Sequence, residues 1–428
     1  MKILIVGSGG REHALAWKAI QSSSVSTVFV APGNAGTALE DNISNVDISV
    51  EDIPALIKFA QQEEIALTII GPEVPLVMGI VDAFSKVGLK CFGPSAKAAQ
   101  LEGSKTYCKD FMARYKIPTA EYQTFTETSA AINYIKVKGA PIVVKADGLA
   151  AGKGVIVAET EQQAIAAVED MLSGNSFGDA GHRVVIEEFL TGEEASFIVI
   201  ADGENALAMA TSQDHKARDN GDKGPNTGGM GAYSPAPIVT PEIHQRVMEE
   251  VINPTLKGMR DDGAPYTGFL YAGLMINKDG NIKVLEYNCR FGDPETQPIM
   301  MRLKSDLVDL CLAALDKNLN TTSSEWDKRP ALGVVLASGG YPDSYKKGNK
   351  ISGLPLEEQA DSKVFHAGTT EKEGNIVSSG GRVLCACALG ENLADAQTKA
   401  YKLSKQIHWD NMFYRTDIGF KALQTQTP

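Results

Sequence analysis

The sequence predicts an α/β protein: an N-terminal open parallel sheet, a second compact sheet with helices, a central mixed sheet and a small C-terminal α+β region. Three observations predict it. The first hundred residues alternate short apolar runs with helical stretches, which is βαβ grammar. An apolar strand ending in Lys145 runs into a glycine-rich turn and a further strand. Two apolar runs, Gly268–Asn277 and Ile282–Tyr287, are joined by Lys278-Asp279-Gly280-Asn281, a hairpin turn signal.

In the N-terminal unit, residues 1–100, strands are expected at Ile3–Val6, Thr27–Val30, Leu67–Ile70 and Lys90–Phe92. Helices are expected at Glu12–Ile20, Glu51–Gln61 and Leu76–Val87. Ligands bind such sheets at the carboxyl ends of the strands, here Gly7–Glu12, Pro32–Gly36, Gly71–Pro75 and Gly93–Ser95. A helical linker over 101–122 carries Lys105. Residues 123–190 then read as strand, helix, strand Pro141–Ala146, loop, strand Val155–Ala158, helix and strand Val184–Glu188. The central unit, 191–325, holds the predicted hairpin and a helical stretch near Ser305–Asn318. The polar stretch Asn320–Pro330 reads as a linker to the last unit, 331–428, with its helical run Ala394–Ile407.

The 428 residues suggest about three domains at ~150 residues each. A formal charge of −12, from 53 acids against 41 Lys and Arg, argues against a general binder of nucleic acid or anionic membrane. No apolar run approaches the ~20 residues of a membrane span, and MKILIVGSGG reads as a first strand rather than a targeting segment. Six scattered cysteines lack a zinc pattern. Cys385 and Cys387 are expected on one side of a strand, reduced, in a cytoplasmic protein.

The loop Gly7-Ser8-Gly9-Gly10-Arg11-Glu12 has Glu where a dinucleotide fingerprint needs its third glycine. The second strand also lacks the acid that would hold a ribose. A different small ligand or a bare structural turn remains. The loop Ala-Asp-Gly-Leu-Ala-Ala-Gly152-Lys153-Gly154 differs from a Walker loop, which needs Ser or Thr after the lysine. Set between two strands, it suits a flap whose backbone N–H groups and Lys153 cover phosphates. Lys145, if buried, needs an anionic partner. The strand ending Glu187-Glu188-Phe-Leu190 reads two ways: a solvated acidic end, or groups for adenine and ribose. In Glu286-Tyr-Asn288-Cys-Arg290, alternation puts a carboxylate, an amide oxygen and a guanidinium on one face. The two oxygens suit magnesium, and the arginine suits a phosphate or carboxylate.

Together, the lysine strand, glycine flap, acidic strand end and E-x-N-x-R strand resemble the ATP-grasp superfamily. The run Asp214-His-Lys216 through Gly228-Gly229-Met-Gly231 is similar to the substrate loop of the phosphoribosylamine–glycine ligase family. So are Gly7-Ser-Gly-Gly-Arg-Glu-His, Pro32-Gly-Asn-Ala-Gly36, Gly71-Pro-Glu73 and Arg290-Phe-Gly-Asp-Pro-Glu-Thr-Gln297. The resemblance spans essentially the whole chain. It implies an ATP-grasp fold with a mobile ATP lid, and ligation of glycine to 5-phosphoribosylamine with ATP and magnesium or manganese. It further implies an ATP site at Lys105, Lys145, Gly152, Lys153, Gly154, Glu187, Glu188, Leu190 and Glu194, and a metal site at Glu286 and Asn288. Gly9, Gly10, Arg11, Glu73, Asp214, Lys216, Gly229 and Arg290 would serve the other substrates, with Arg290, Lys153 and Asp214 nearest the chemistry. Asp214 and His215 are the candidate bases. Many superfamily members carry a further metal acid on the strand before E-x-N, where this chain has Tyr-Ala-Gly-Leu-Met-Ile. A monomer or weak dimer is expected.

Overall fold

A computed structural model describes residues 1–149, 154–173, 182–355 and 359–424. Strands β1 (Lys2–Gly7), β2 (Thr27–Pro32), β3 (Ile43–Asn45), β4 (Leu67–Ile70) and β5 (Cys91–Phe92) form a sheet in the order β3-β2-β1-β4-β5. Every pairing in it is parallel. Ile3–Val6 is buried without alternation, as a strand covered on both faces requires. Helix α1 (Gly10–Ala19) follows β1 directly. The helix expected over Leu76–Val87 is two, Glu73–Val77 and Ile80–Lys86. Gly79 between them takes φ +91°, a left-handed conformation that interrupts the helical ladder.

Strands β6 (Tyr122–Phe125), β7 (Ile142–Ala146), β8 (Val155–Ala158) and β9 (Val184–Glu188) form an antiparallel sheet in the order β6-β9-β7-β8. Ile142, Val144, Val184 and Ile186 pack against helices Thr128–Lys138 and Glu161–Leu172. The alternate positions Val143, Lys145 and Glu187 face a cavity.

Onward come β10 (Glu193–Asp202), β11 (Ala206–Ala208), β12 (Gln213–Asp214), β13 (Ala217–Asp219), β14 (Lys223–Asn226), β15 (Gly231–Ser234), β16 (Thr267–Ile276) and β17 (Ile282–Asn288). The central sheet, β11-β10-β16-β17, is antiparallel in each of its strand pairings rather than mixed. The predicted hairpin is the β16–β17 pair. It carries a bulge: Val284 faces Leu274 and Glu286 faces Gly273, leaving Leu285 as the extra residue. Plain alternation from Val284 would turn Glu286 into the core. The bulge instead sends Tyr287 and Cys289 into the core with Ile282 and Val284, and leaves Glu286 and Asn288 on the cavity.

The remaining strands are β18 (Ala331–Ala337), β19 (Ser362–His366), β20 (Thr369–Lys372), β21 (Asn375–Ser378) and β22 (Arg382–Leu389). Three of them join two earlier strands in the sheet β12-β15-β18-β22-β19. Residues 213–234, which the sequence places in the central unit, are therefore partly built into the C-terminal sheet. Phe269 sits edge-on between Phe92 and Phe291, with both centroid distances 4.8 Å, and this stack ties the N-terminal sheet to the central one. Among the described residues no helix is long and apolar enough to cross a membrane.

Candidate active site

A cavity of about 530 Å³ opens where the four sheets meet. One wall comes from regular elements. Lys145 on β7 and Lys109 on the helix Lys105–Arg114 both reach Glu187 on β9, at 2.9 and 2.8 Å. All three are buried. One carboxylate between two ammonium groups leaves an excess positive charge, and that charge is stabilised by an anion in the cavity. Burial lowers the pKa of Lys109, an effect that Glu187 opposes. Lys145 also donates to the carbonyl of Leu285 at 3.3 Å, joining this sheet to the bulge of β17. Lys105 donates to the Gly148 carbonyl at 2.8 Å, and Asp147 accepts from Ser104 Oγ and the Thr106 amide at 3.1 and 3.2 Å. The root of the glycine loop is thereby fixed to the N-terminus of that helix. Gly152 and Lys153 lie outside the described residues. Gly154, Leu190 and Glu194 line the cavity. Glu188 does too, with its carboxylate taken up by Lys283 and the Glu121 amide.

Glu286 and Asn288 stand on the floor. Burial within the cleft would raise the pKa of Glu286, but Lys216, Lys145, Lys105 and Arg290 hold it at about 2. Its nearest paired cation is Lys216, at 3.7 Å, and among the described residues its oxygens accept no hydrogen bond. An ionised carboxylate with open lone pairs beside an amide oxygen is a donor set that fits a hard divalent cation. Arg290 donates to Asn288 Oδ1 at 2.9 Å and to Glu102 at 2.8 Å, and its Nε lies 3.4 Å from Glu73. Tyr287 points away into the core.

The other wall is gathered from the ends of short elements and the loops beside them: Arg11 in α1, Glu73 at the start of its helix and Asp214 at the end of β12. Arg11, Glu73, Asp214 and Lys216 reach the cavity, while Gly9, Gly10 and Gly229 stand behind it. The first loop closes on itself. Glu12 is buried, accepts from the Gly9 amide at 2.6 Å and pairs with Arg11 Nε at 2.6 Å. A Cβ at Gly7 or Gly71 would come within 2.2 or 1.9 Å of the Glu12 side chain. These glycines make room for an internal carboxylate in the space a dinucleotide's pyrophosphate would need. A Cβ at Gly10 would meet Gln297 at 2.5 Å, so that glycine serves close packing between segments.

Asp214 is pushed up to about 8 by burial and the nearby Glu295, against the pull of Lys216. His215 is no base for the site. It is buried, Nδ1 meets the Gly231 carbonyl at 3.2 Å, and Nε2 accepts from the Gly419 amide at 3.1 Å. Burial and the neighbouring Arg415 hold it neutral, at about 4.

Sequence reading missed Lys109, Glu102, Asp293, Tyr341 and Arg382, all of which line the cavity. Lys109 was within reach, since it follows Lys105 by one helical turn on the same face. Asp293 lies within the run Arg290–Gln297 without being singled out, and Glu102, Tyr341 and Arg382 give no local signal. Arg382 Nη1, for example, donates to the Asp293 carbonyl at 2.6 Å across 89 residues.

Residues 1–102, 103–296 and 331–421 match the N, ATP-grasp (A) and C domains of the family described as phosphoribosylglycinamide synthetase. Phosphoribosylamine–glycine ligase of Salmonella typhimurium is 68% identical over 427 residues, all of both chains. That of Vibrio vulnificus is 66% identical over 423 residues, 99% of each. The crystal structure of the Thermotoga maritima phosphoribosylamine–glycine ligase superposes with TM-score 0.85 at 35% identity, over 98% of this chain and 100% of that one. This chain belongs to the phosphoribosylamine–glycine ligase family of ATP-grasp enzymes.

Proposed function

We propose that the chain joins glycine to 5-phosphoribosylamine at the expense of ATP, giving glycinamide ribonucleotide, ADP and phosphate in purine biosynthesis. The observation that carries this reading is the meeting, in one cavity, of the surplus-cation group Lys109–Glu187–Lys145 with the oxygen pair Glu286 and Asn288. The first suits the phosphates of a nucleotide. The second suits magnesium, or manganese in its place. When bound, that ion would neutralise phosphate charge.

A carboxylate is a poor acylating group, so the γ-phosphoryl group of ATP passes to a glycine carboxylate oxygen and ADP leaves. Catalysis of that step is positioning and charge neutralisation. Lys105 and Lys145 would offset phosphate charge from the cavity wall. Arg290, fixed by Glu73, Glu102 and Asn288, is oriented to hold a carboxylate or phosphate beside the oxygen pair. The amine then attacks the acyl carbon, the C–O bond to phosphate breaks, and an amide forms. Asp214, pushed up to about 8 by burial and Glu295, would take the proton the amine sheds in its ionised fraction, the smaller one at neutral pH. Arg11, Glu73 and Lys216 face the region left for the amine, with Gly9, Gly10 and Gly229 shaping the loops behind them.

A monomer or weak dimer working in the cytoplasm belongs to the same reading. All six cysteines are buried and unpaired, with the Cys385 and Cys387 sulfurs 3.6 Å apart, as a reducing compartment would leave them. The test is ADP release with phosphoribosylamine generated in place. Release that requires both glycine and the amine is expected; release indifferent to either would refute the reading.

A further inference from the structure

The segment that brings Lys216, Asn226, Thr227 and Gly228 to the cavity is fastened from the C-terminal part of the chain. At the tip of the β13–β14 hairpin, Asn220 donates to Thr416 Oγ1 at 2.6 Å and the Gly221 amide to Asp417 at 2.7 Å. Asp222 takes Arg415 at 2.8 Å and Lys421 at 2.6 Å. Nearer the cavity, one residue is gripped on both sides. The Gly228 amide donates to Tyr341 Oη at 2.9 Å, and the Gly228 carbonyl accepts from Arg382 Nη1 at 2.6 Å. The same Nη1 reaches the carbonyl of Asp293, whose side chain accepts from the Arg11 amide at 3.3 Å.

The fit leaves no room for a side chain. A Cβ on Gly228 would lie 2.9 Å from the Arg382 guanidinium carbon. One on Gly229, at φ +112°, would lie 2.4 Å from Pro294. Tyr341 is itself set against Gly381, where a Cβ would meet its ring at 2.3 Å. A glycine-rich neck loses much conformational freedom on ordering. Two hydrogen bonds to opposite sides of one residue's backbone fix its orientation and so its neighbours, including Thr227, which bonds back to the Lys216 carbonyl at 2.7 Å.

We propose that Tyr341 and Arg382 clamp the Gly228 backbone, and that through this clamp the C-terminal region positions the amine-binding side of the active site. They are positioning residues, acting through segment 226–229, and the inference rests on the ligase reading above. Lys105, Lys145 and Glu187 stand on other elements and the segment meets the nucleotide side through Lys216, which pairs with Glu194 at 2.9 Å, so loosening the clamp acts first on the amine and less on the nucleotide.

Tyr341→Phe tests this, because it keeps the ring against Gly381 and removes only the oxygen that accepts from Gly228. Losing one such hydrogen bond predicts a rise of about five- to tenfold in KM for phosphoribosylamine. KM for ATP should change less, and the melting temperature should hold. Arg382→Lys should recover part of what Arg382→Met loses. An unchanged amine KM in Tyr341→Phe, an equal rise for ATP, or a lowered melting temperature with both KM values intact would each overturn the clamp. If the parent enzyme releases ADP without needing glycine and the amine, the ligase reading fails first and the clamp's role with it.

Discussion

The two walls of the cavity are built in opposite ways. The wall assigned to the nucleotide is made largely of strand and helix positions, and its charges fix one another: Lys109 and Lys145 on Glu187, with Lys145 also on the backbone of β17. The wall assigned to the amine is gathered from helix starts, strand ends and loops far apart in sequence, and backbone groups fix several of its side chains beside ion pairs such as Arg11–Glu12 and Lys216–Glu194. Arg382 rests on the carbonyls of Gly228 and Asp293, Arg11 on that of Phe291, and Tyr341 on the Gly228 amide. Periodicity positions the first wall. The second exists only once the C-terminal sheet has taken in β12 and β15. A substitution on the first wall should therefore act through charge, and one on the second through the geometry of a single backbone segment.

The largest effect belongs to the first wall and the floor beside it. Glu286→Gln keeps the shape and removes the charge from the oxygen pair. A loss of ~3–4 kcal/mol in transition-state stabilisation would slow turnover on the order of a hundred- to a thousandfold. Because Glu286 accepts no hydrogen bond among the described residues, the melting temperature should hold. Asn288→Asp should be milder and shift metal preference, since it keeps an oxygen ligand. Near-normal turnover with an unchanged magnesium titration in both variants would remove the distinction between the walls.

That contrast explains what was legible in the sequence. The parallel sheet, the order of elements over 123–190 and the β16–β17 hairpin follow from local periodicity, and the structure has them. Lys145, Glu187, Glu286 and Asn288 were found as strand-borne residues, and all four line one cavity. Even so, the bulge at Leu285 has no sequence signature: alternation groups Glu286, Asn288 and Arg290 on one face as the structure has them, but counted from Val284 it would turn that face into the core. Glu187 looked like a strand-end acid with a choice of roles, and its place between two lysines needed the sheet order β6-β9-β7-β8. The reach of Tyr341 and Arg382 to Gly228 spans 113 and 154 residues, beyond any local pattern.

A smaller effect concerns stability and falls where the second wall meets the C-terminal sheet. Burial holds His366 at about 3 and His215 at about 4, below the ordinary 6.5, and lowers His13 as well. Each accepts or braces a contact there: His13 accepts from the His366 amide at 2.8 Å, and His215 from that of Gly419. A group whose folded pKa lies below its unfolded value binds fewer protons when folded. Its stabilising share is full above pH 6.5 and is lost as pH falls toward the folded value. The melting temperature should therefore decline between about pH 7 and pH 5, and less steeply in His215→Asn. A flat profile over that range would show that these contacts tolerate charge.

The chemistry assigned to the cavity is tested most directly by following an oxygen atom. Phosphoryl transfer to glycine links a carboxylate oxygen to phosphorus, and attack by the amine breaks the bond between that oxygen and carbon. With oxygen-18 in the glycine carboxylate, one labelled oxygen should appear in the released phosphate for each turnover. Unlabelled phosphate during full turnover would contradict an acyl phosphate, and with it the roles of both walls.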